Sequence, residues 1–121
     1  MAELEQWNWD AVEWEDVNPK MRRKIITGEK MTVAKIALDD GFVVPLHAHE
    51  NEQITQVISG KMHFWFGENR EREMIIGPGD VIVIPANLPH EAKMIGDVLE
   101  MDMWAPRRED WLNKTDDYLR G

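Results

Sequence analysis

Short runs of β-branched and aromatic residues, several of them alternating with polar positions, are punctuated along this chain by glycine, proline and asparagine turns. The runs Arg23 to Thr27, Met31 to Leu38, Gln53 to Ile58, Met62 to Phe66, Glu73 to Ile76, Val81 to Ile84 and Val98 to Trp104 read as strands. Between them stand turn signals such as Asp39-Asp40-Gly41, Ser59-Gly60, Gly77-Pro78-Gly79-Asp80 and Pro85-Ala86-Asn87-Leu88-Pro89. The pattern predicts an all-β barrel or sandwich. Only Glu109 to Leu119, with Trp111, Leu112, Thr115 and Leu119, keeps a helical spacing, which predicts a short C-terminal helix. The expected organisation is one domain over residues 1–121, with an N-terminal arm at 1–20, a barrel at 21–104 and a tail at 105–121.

Composition narrows the chemistry. With 14 Lys+Arg against 23 Asp+Glu the formal charge is −9, which argues against nucleic acid as a partner. The absence of cysteine removes disulfides, thiolate nucleophiles and thiolate metal sites. Met1 to Gln6 lacks the features of a secretory signal, and no apolar run is long enough to span a bilayer, so a cytoplasmic protein with no membrane partner is expected. Trp7, Trp9 and Trp14 in the arm read as cover for a sheet face or a subunit contact, with sugar stacking as the alternative.

Four histidines remain as soft donors. On an extended strand His47 and His49 would project from one face, with Gln53 continuing that face and Glu50 and Glu52 pointing away. His90, after the turn that follows Val81 to Ile84, can return beside the pair if the sheet folds back. Convergence of these imidazoles without an ion would make a costly polar core, so one divalent metal on His47, His49, Gln53 and His90 is expected. Nickel, zinc, manganese and iron all accept such donors. His63, in Met62-His63-Phe64-Trp65-Phe66, has no partner at motif spacing and reads as a structural or surface residue.

Two motifs carry a family resemblance. Gly41, His47-Ala48-His49, Gln53 and Gly60 resemble the first cupin motif, with Gln where Glu is usual, and Gly79, Pro85-Ala86-Asn87 and His90 resemble the second, with Asn87 in place of Gly and Met94 in place of Asn. Asparagine tolerates a left-handed turn, which keeps the second motif feasible. The resemblance implies a double-stranded β-helix, or jelly-roll barrel, with its metal inside.

In Val98 to Trp104, Glu100, Asp102 and Trp104 share one strand face, and Leu99, Met101 and Met103 share the other. Either the greasy face lines the core, or the polar face does and the greasy one is covered by a second subunit. This stretch, with Arg22-Arg23-Lys24-Ile25 and Arg108-Glu109-Asp110-Trp111-Leu112, is similar to the KdgF-type pectin-degradation cupins, with Trp104 where Phe is usual and Arg107 where Pro is usual. The resemblance implies an isomerase that converts 4,5-unsaturated uronates to linear 4-deoxy-5-keto uronates, with Asp102, Trp104 and Arg108 lining the site. A small anionic sugar is then the substrate, and with Asp102 facing inward a homodimer covers the outer face. A cupin dioxygenase and a sugar-binding cupin without turnover are the competing readings.

Overall fold

A computed structural model describes residues 3–120. Eight strands run antiparallel: β1 (Glu15–Asn18), β2 (Met21–Thr27), β3 (Thr32–Leu38), β4 (Val43–His47), β5 (Glu52–Phe66), β6 (Arg72–Ile76), β7 (Val81–Ile84) and β8 (His90–Ala105). They follow the order β1-β2-β3-β8-β5-β6, with β4 on β8 and β7 on β5. The two long strands, β5 and β8, pair with each other along most of their length and serve both ends of the jelly roll.

Alternation explains how these strands enclose a core. In β3 Thr32, Ala34, Ile36 and Leu38 face inward, and in β8 His90, Ala92, Met94, Val98, Glu100, Asp102 and Trp104 do so. The sequence pattern separates two strands at Ser59-Gly60, whereas β5 is continuous and carries a register shift there. The shift changes parity: Gln53, Thr55 and Val57 face inward before it, Met62, Phe64 and Phe66 after it. Gly60 has φ +80°, and a Cβ there would lie 2.2 Å from the Asp97 carbonyl oxygen, so only glycine lets β5 pass β8 at this point.

The long β8 also begins eight residues before Val98, where the apolar pattern is too weak to reveal it. At the far end of the chain the expected helix is divided into α1 (Glu109–Leu112) and α2 (Asp117–Arg120), with Lys114 at φ 57° between them. A left-handed residue cannot continue a helix, which is why the spacing of Trp111, Thr115 and Leu119 did not become one element. The break lets Trp111 and Leu119 both turn into the barrel mouth, where they are buried. No helix among the described residues is long and apolar enough to cross a membrane.

The arm lies along β2. A short 3-10 turn holds Trp9–Ala11, the Lys24 ammonium donates to the Trp9 carbonyl at 2.7 Å, and it sits 4.8 Å from the Trp14 ring centroid. Trp7 donates to Glu5 and remains exposed. None of the three tryptophans lines the barrel cavity.

Candidate metal centre and substrate cavity

The site is built where β4, β5 and β8 end together. His47 closes β4 and is the direct cross-strand partner of His90, the first residue of β8. His49 lies in the connection after β4, and Gln53 faces inward from the start of β5. The common face expected from a single extended strand is therefore produced differently, by a chain that leaves β4, turns and re-enters as β5. Asn87, at φ 65°, makes the left-handed turn that delivers His90.

The ring nitrogens of His47, His49 and His90 fall within 4.8 Å of one another. Each Nδ1 faces a backbone carbonyl: Pro45 at 2.8 Å for His47, Asn51 at 2.9 Å for His49 and Leu88 at 2.9 Å for His90. A carbonyl only accepts, so each Nδ1 carries the proton and each Nε2 presents a lone pair to the cluster. Burial, then the neighbouring His90, brings His47 down to about 3, and burial lowers His90 to about 4. His49 is lowered by burial and by Arg108. All three rings are neutral at pH 7, the state a metal requires.

Two details fit an ion. The buried His90 Nε2 has no hydrogen-bond partner. Gln53 Oε1 accepts from the Trp104 indole at 2.9 Å, which fixes it as oxygen, yet it lies 3.1 Å from His49 Nε2. Two acceptors so close, with no proton to share, repel unless a cation joins them. Donors about 2.1 Å from one ion and at a right angle to each other stand about 3.0 Å apart.

From this cluster a directional chain runs into the barrel. Gln53 Nε2 donates to Thr55 Oγ1 at 2.9 Å, and the Thr55 hydroxyl donates to Asp102 Oδ1 at 2.6 Å. Burial raises Asp102, against the hydrogen bonds of Glu100 and Thr55. Burial and the adjacent Asp102 raise Glu100 well above its ordinary value, and Glu100 Oε2 has no partner. The sequence placed Glu100 on the right face without a role and did not single out Thr55, although it shares parity with Gln53.

Arg108 closes the mouth. Its Nε and Nη2 donate to the Asp110 carboxylate at 2.9 and 2.8 Å, Nη2 also donates to the Tyr118 hydroxyl at 2.9 Å, and the guanidinium lies over the Trp104 and Trp111 rings. Burial would lower Arg108, but its bonds to Asp110 win and raise it. Arg107 instead pairs with Glu109 at the surface. A cavity of about 40 Å³ remains among His47, Gln53, His90, Asp102, Arg108 and Tyr118. Sequence reasoning missed Tyr118 altogether, because nothing in a tail of one-turn helices signals which side chain turns inward. His63 lies elsewhere, stacked on Trp65 and 3.0 Å from Glu73.

An inward-facing imidazole cluster in a jelly-roll barrel is the arrangement of a metal-binding cupin. The family model described as Cupin domain matches residues 35–104, and the chain belongs to the cupin family. Among solved structures it is similar to KdgF from Halomonas sp., at 30% identity and TM-score 0.75 over 82% of this chain and 90% of that one. It is a small cupin resembling KdgF. An RmlC-like cupin from Shewanella frigidimarina shares the fold at 23% identity and TM-score 0.80, over 91% of this chain and 96% of that one. So does a Bacillus subtilis oxalate decarboxylase at 15% identity and TM-score 0.72, over 88% of this chain and 31% of that one. No curated protein gives a significant match.

Proposed function

We propose that this cupin opens 4,5-unsaturated uronates to linear 4-deoxy-5-keto uronates, using one divalent transition metal held by His47, His49, His90 and Gln53. The observation that carries the reading is the hydrogen-bonded chain from Gln53 through Thr55 to Asp102, which starts where Gln53 Oε1 and His49 Nε2 face each other and ends beside a cavity that Arg108 also lines. The likeness to KdgF supports it.

The reaction breaks a ring C–O bond after loss of the anomeric proton and returns a proton to C4 of the enol. A bound ion would bind sugar oxygens and stabilise negative charge there. Arg108 binds the substrate carboxylate through its planar fork, releasing the Tyr118 hydroxyl. That local cation offsets the long-range repulsion between an anionic sugar and a chain of charge −9. Asp102, raised by burial yet held as an acceptor by Thr55, takes the proton that the anomeric hydroxyl gives up and returns it to C4 after the ring C–O bond has broken. Thr55 fixes the Asp102 carboxyl by donating to Oδ1. Trp104 orients Gln53 and walls the cavity against water.

Loss of the conjugated double-bond absorbance on incubation of metal-loaded protein with unsaturated galacturonate tests the activity. Elemental analysis should show one ion per chain, retained by Asp102→Asn and lost from His47→Ala with His90→Ala. Unsaturated sugar left unchanged by fully loaded protein would contradict the assignment.

The unit is a homodimer in this proposal. With Asp102 inside, Leu99, Met101 and Met103 lie on the outer face, where Val33, Met103, Ile54 and Val83 form a continuous apolar row across four strands. Val83 is 61% exposed, which a second copy would cover. Sedimentation at micromolar concentration should give a dimer, and a monomer would contradict it.

A further inference from the structure

We infer that the Tyr118 ring is a built-in occupant of the sugar subsite, and that α2 must swing aside to admit substrate. Tyr118 is the chain's single tyrosine. Its ring stacks on His47 with centroids 4.4 Å apart, and its hydroxyl accepts from Arg108 Nη2 at 2.9 Å and faces the Trp111 indole nitrogen at 3.4 Å. A six-membered ring over an imidazole, with an oxygen against a guanidinium, reproduces the outline of a ring sugar whose carboxyl oxygen meets Arg108. The inference thus rests on the reading that such a sugar binds beside Arg108.

Volume makes the two occupants exclusive. The remaining cavity is about 40 Å³. That space suits about three waters, whereas small-molecule pockets begin near 300 Å³. A monosaccharide cannot enter while Tyr118 stays.

The fastenings allow that movement. Asp116 is anchored by the fully buried ion pair with Arg23 at 2.6 Å, so the chain up to Asp116 stays fixed. Beyond it, α2 is tied at the rim by Asn18 Nδ2 donating to the Leu119 carbonyl at 3.0 Å, and by the partly exposed Arg120 donating to Glu15 at 2.6 Å and to Asp116 at 2.8 Å. Arg120 and Glu15 both reach solvent, so that pair is screened by salt. The apolar anchor of α2 is Leu119, one buried side chain.

Biosynthetic labelling with 3-fluorotyrosine places one fluorine reporter at Tyr118, and fluorine NMR on the zinc-loaded chain reads its surroundings directly. Arg120→Ala lies outside the cavity and should shift the resonance toward that of an exposed tyrosine, without any sugar present. Saturating 4,5-unsaturated galacturonate should do the same in the unmutated protein. Tyr118→Ala should lower KM several-fold, because the closed fraction no longer competes with substrate. A resonance unmoved by Arg120→Ala overturns the inference, as does turnover with an unmoved resonance, or a raised KM in Tyr118→Ala. If the sugar is not converted, the uronate reading fails, and the response to Arg120→Ala alone decides for or against the moving segment.

Discussion

Arg23 and Arg108 both lie against Trp111, with guanidinium carbons 4.1 and 4.9 Å from its ring centroid, and both are shut off from solvent. Their partners differ. Arg23 meets Asp116, itself fully buried, at 2.6 Å and Glu15 at 3.0 Å, so its charge is neutralised by groups that hold the tail to β2. Arg108 meets Asp110, which is 38% exposed, and a tyrosine hydroxyl that borders the cavity. A buried cation matched by fixed anions fastens the fold. One matched by a half-solvated carboxylate and a neutral hydroxyl keeps a donor that a ligand can take.

Arg23→Met should have the largest effect on stability. It leaves the buried Asp116 with only the partly exposed Arg120 at 2.8 Å, at a cost of about 3 kcal/mol, and thermal unfolding should show a large loss while the surviving folded protein still binds one metal. Equal loss of metal would erase the distinction between the two arginines.

Arg108→Lys keeps the charge and loses the fork, so it should raise KM about tenfold with little change in unfolding temperature. Arg107→Ala, at the surface beside Glu109, should change neither by more than a small factor. A larger KM effect from Arg107 would exchange the two assignments.

Acid separates the regions in the same way. In metal-free protein His47 and His90 should titrate at about 3 and about 4, where an unfolded chain would protonate near 6.5. Their burial therefore costs stability progressively as pH falls from about 6.5 toward those values. Glu15 is lowered by Arg120 and Arg23 despite some burial, so its contribution is lost only as pH falls below the ordinary 4.5. Imidazole proton NMR with pH checks the order: the histidines are affected before the arginine staple, and midpoints near 6.5 would contradict their burial.

Much of this site was legible because metal ligation constrains residue type and spacing together. His47, His49, Gln53 and His90 stood out without any structure, although the reason offered, strand parity, was replaced by a turn between β4 and β5. Alternation put Glu100, Asp102 and Trp104 on one face, and the family resemblance chose that face as the inward one. The tail did not, because its order comes from long-range contacts. Lys114 breaks the helical period, Asp116 is placed by Arg23, and Tyr118 by Arg108, and no local pattern reports such partners. Gly60 read as a turn and serves instead as the bulge that changes the parity of β5.

The central claim, that Asp102 moves the proton in uronate ring opening, is tested most directly by comparing metal-loaded Asp102→Asn with the unmutated chain on unsaturated galacturonate. Asparagine preserves size and still accepts from Thr55, but it cannot give or take the proton. Turnover, followed by loss of the conjugated absorbance, should fall by about a hundredfold or more at unchanged metal content. Unmutated turnover in Asp102→Asn, on a substrate the native protein converts, would contradict it.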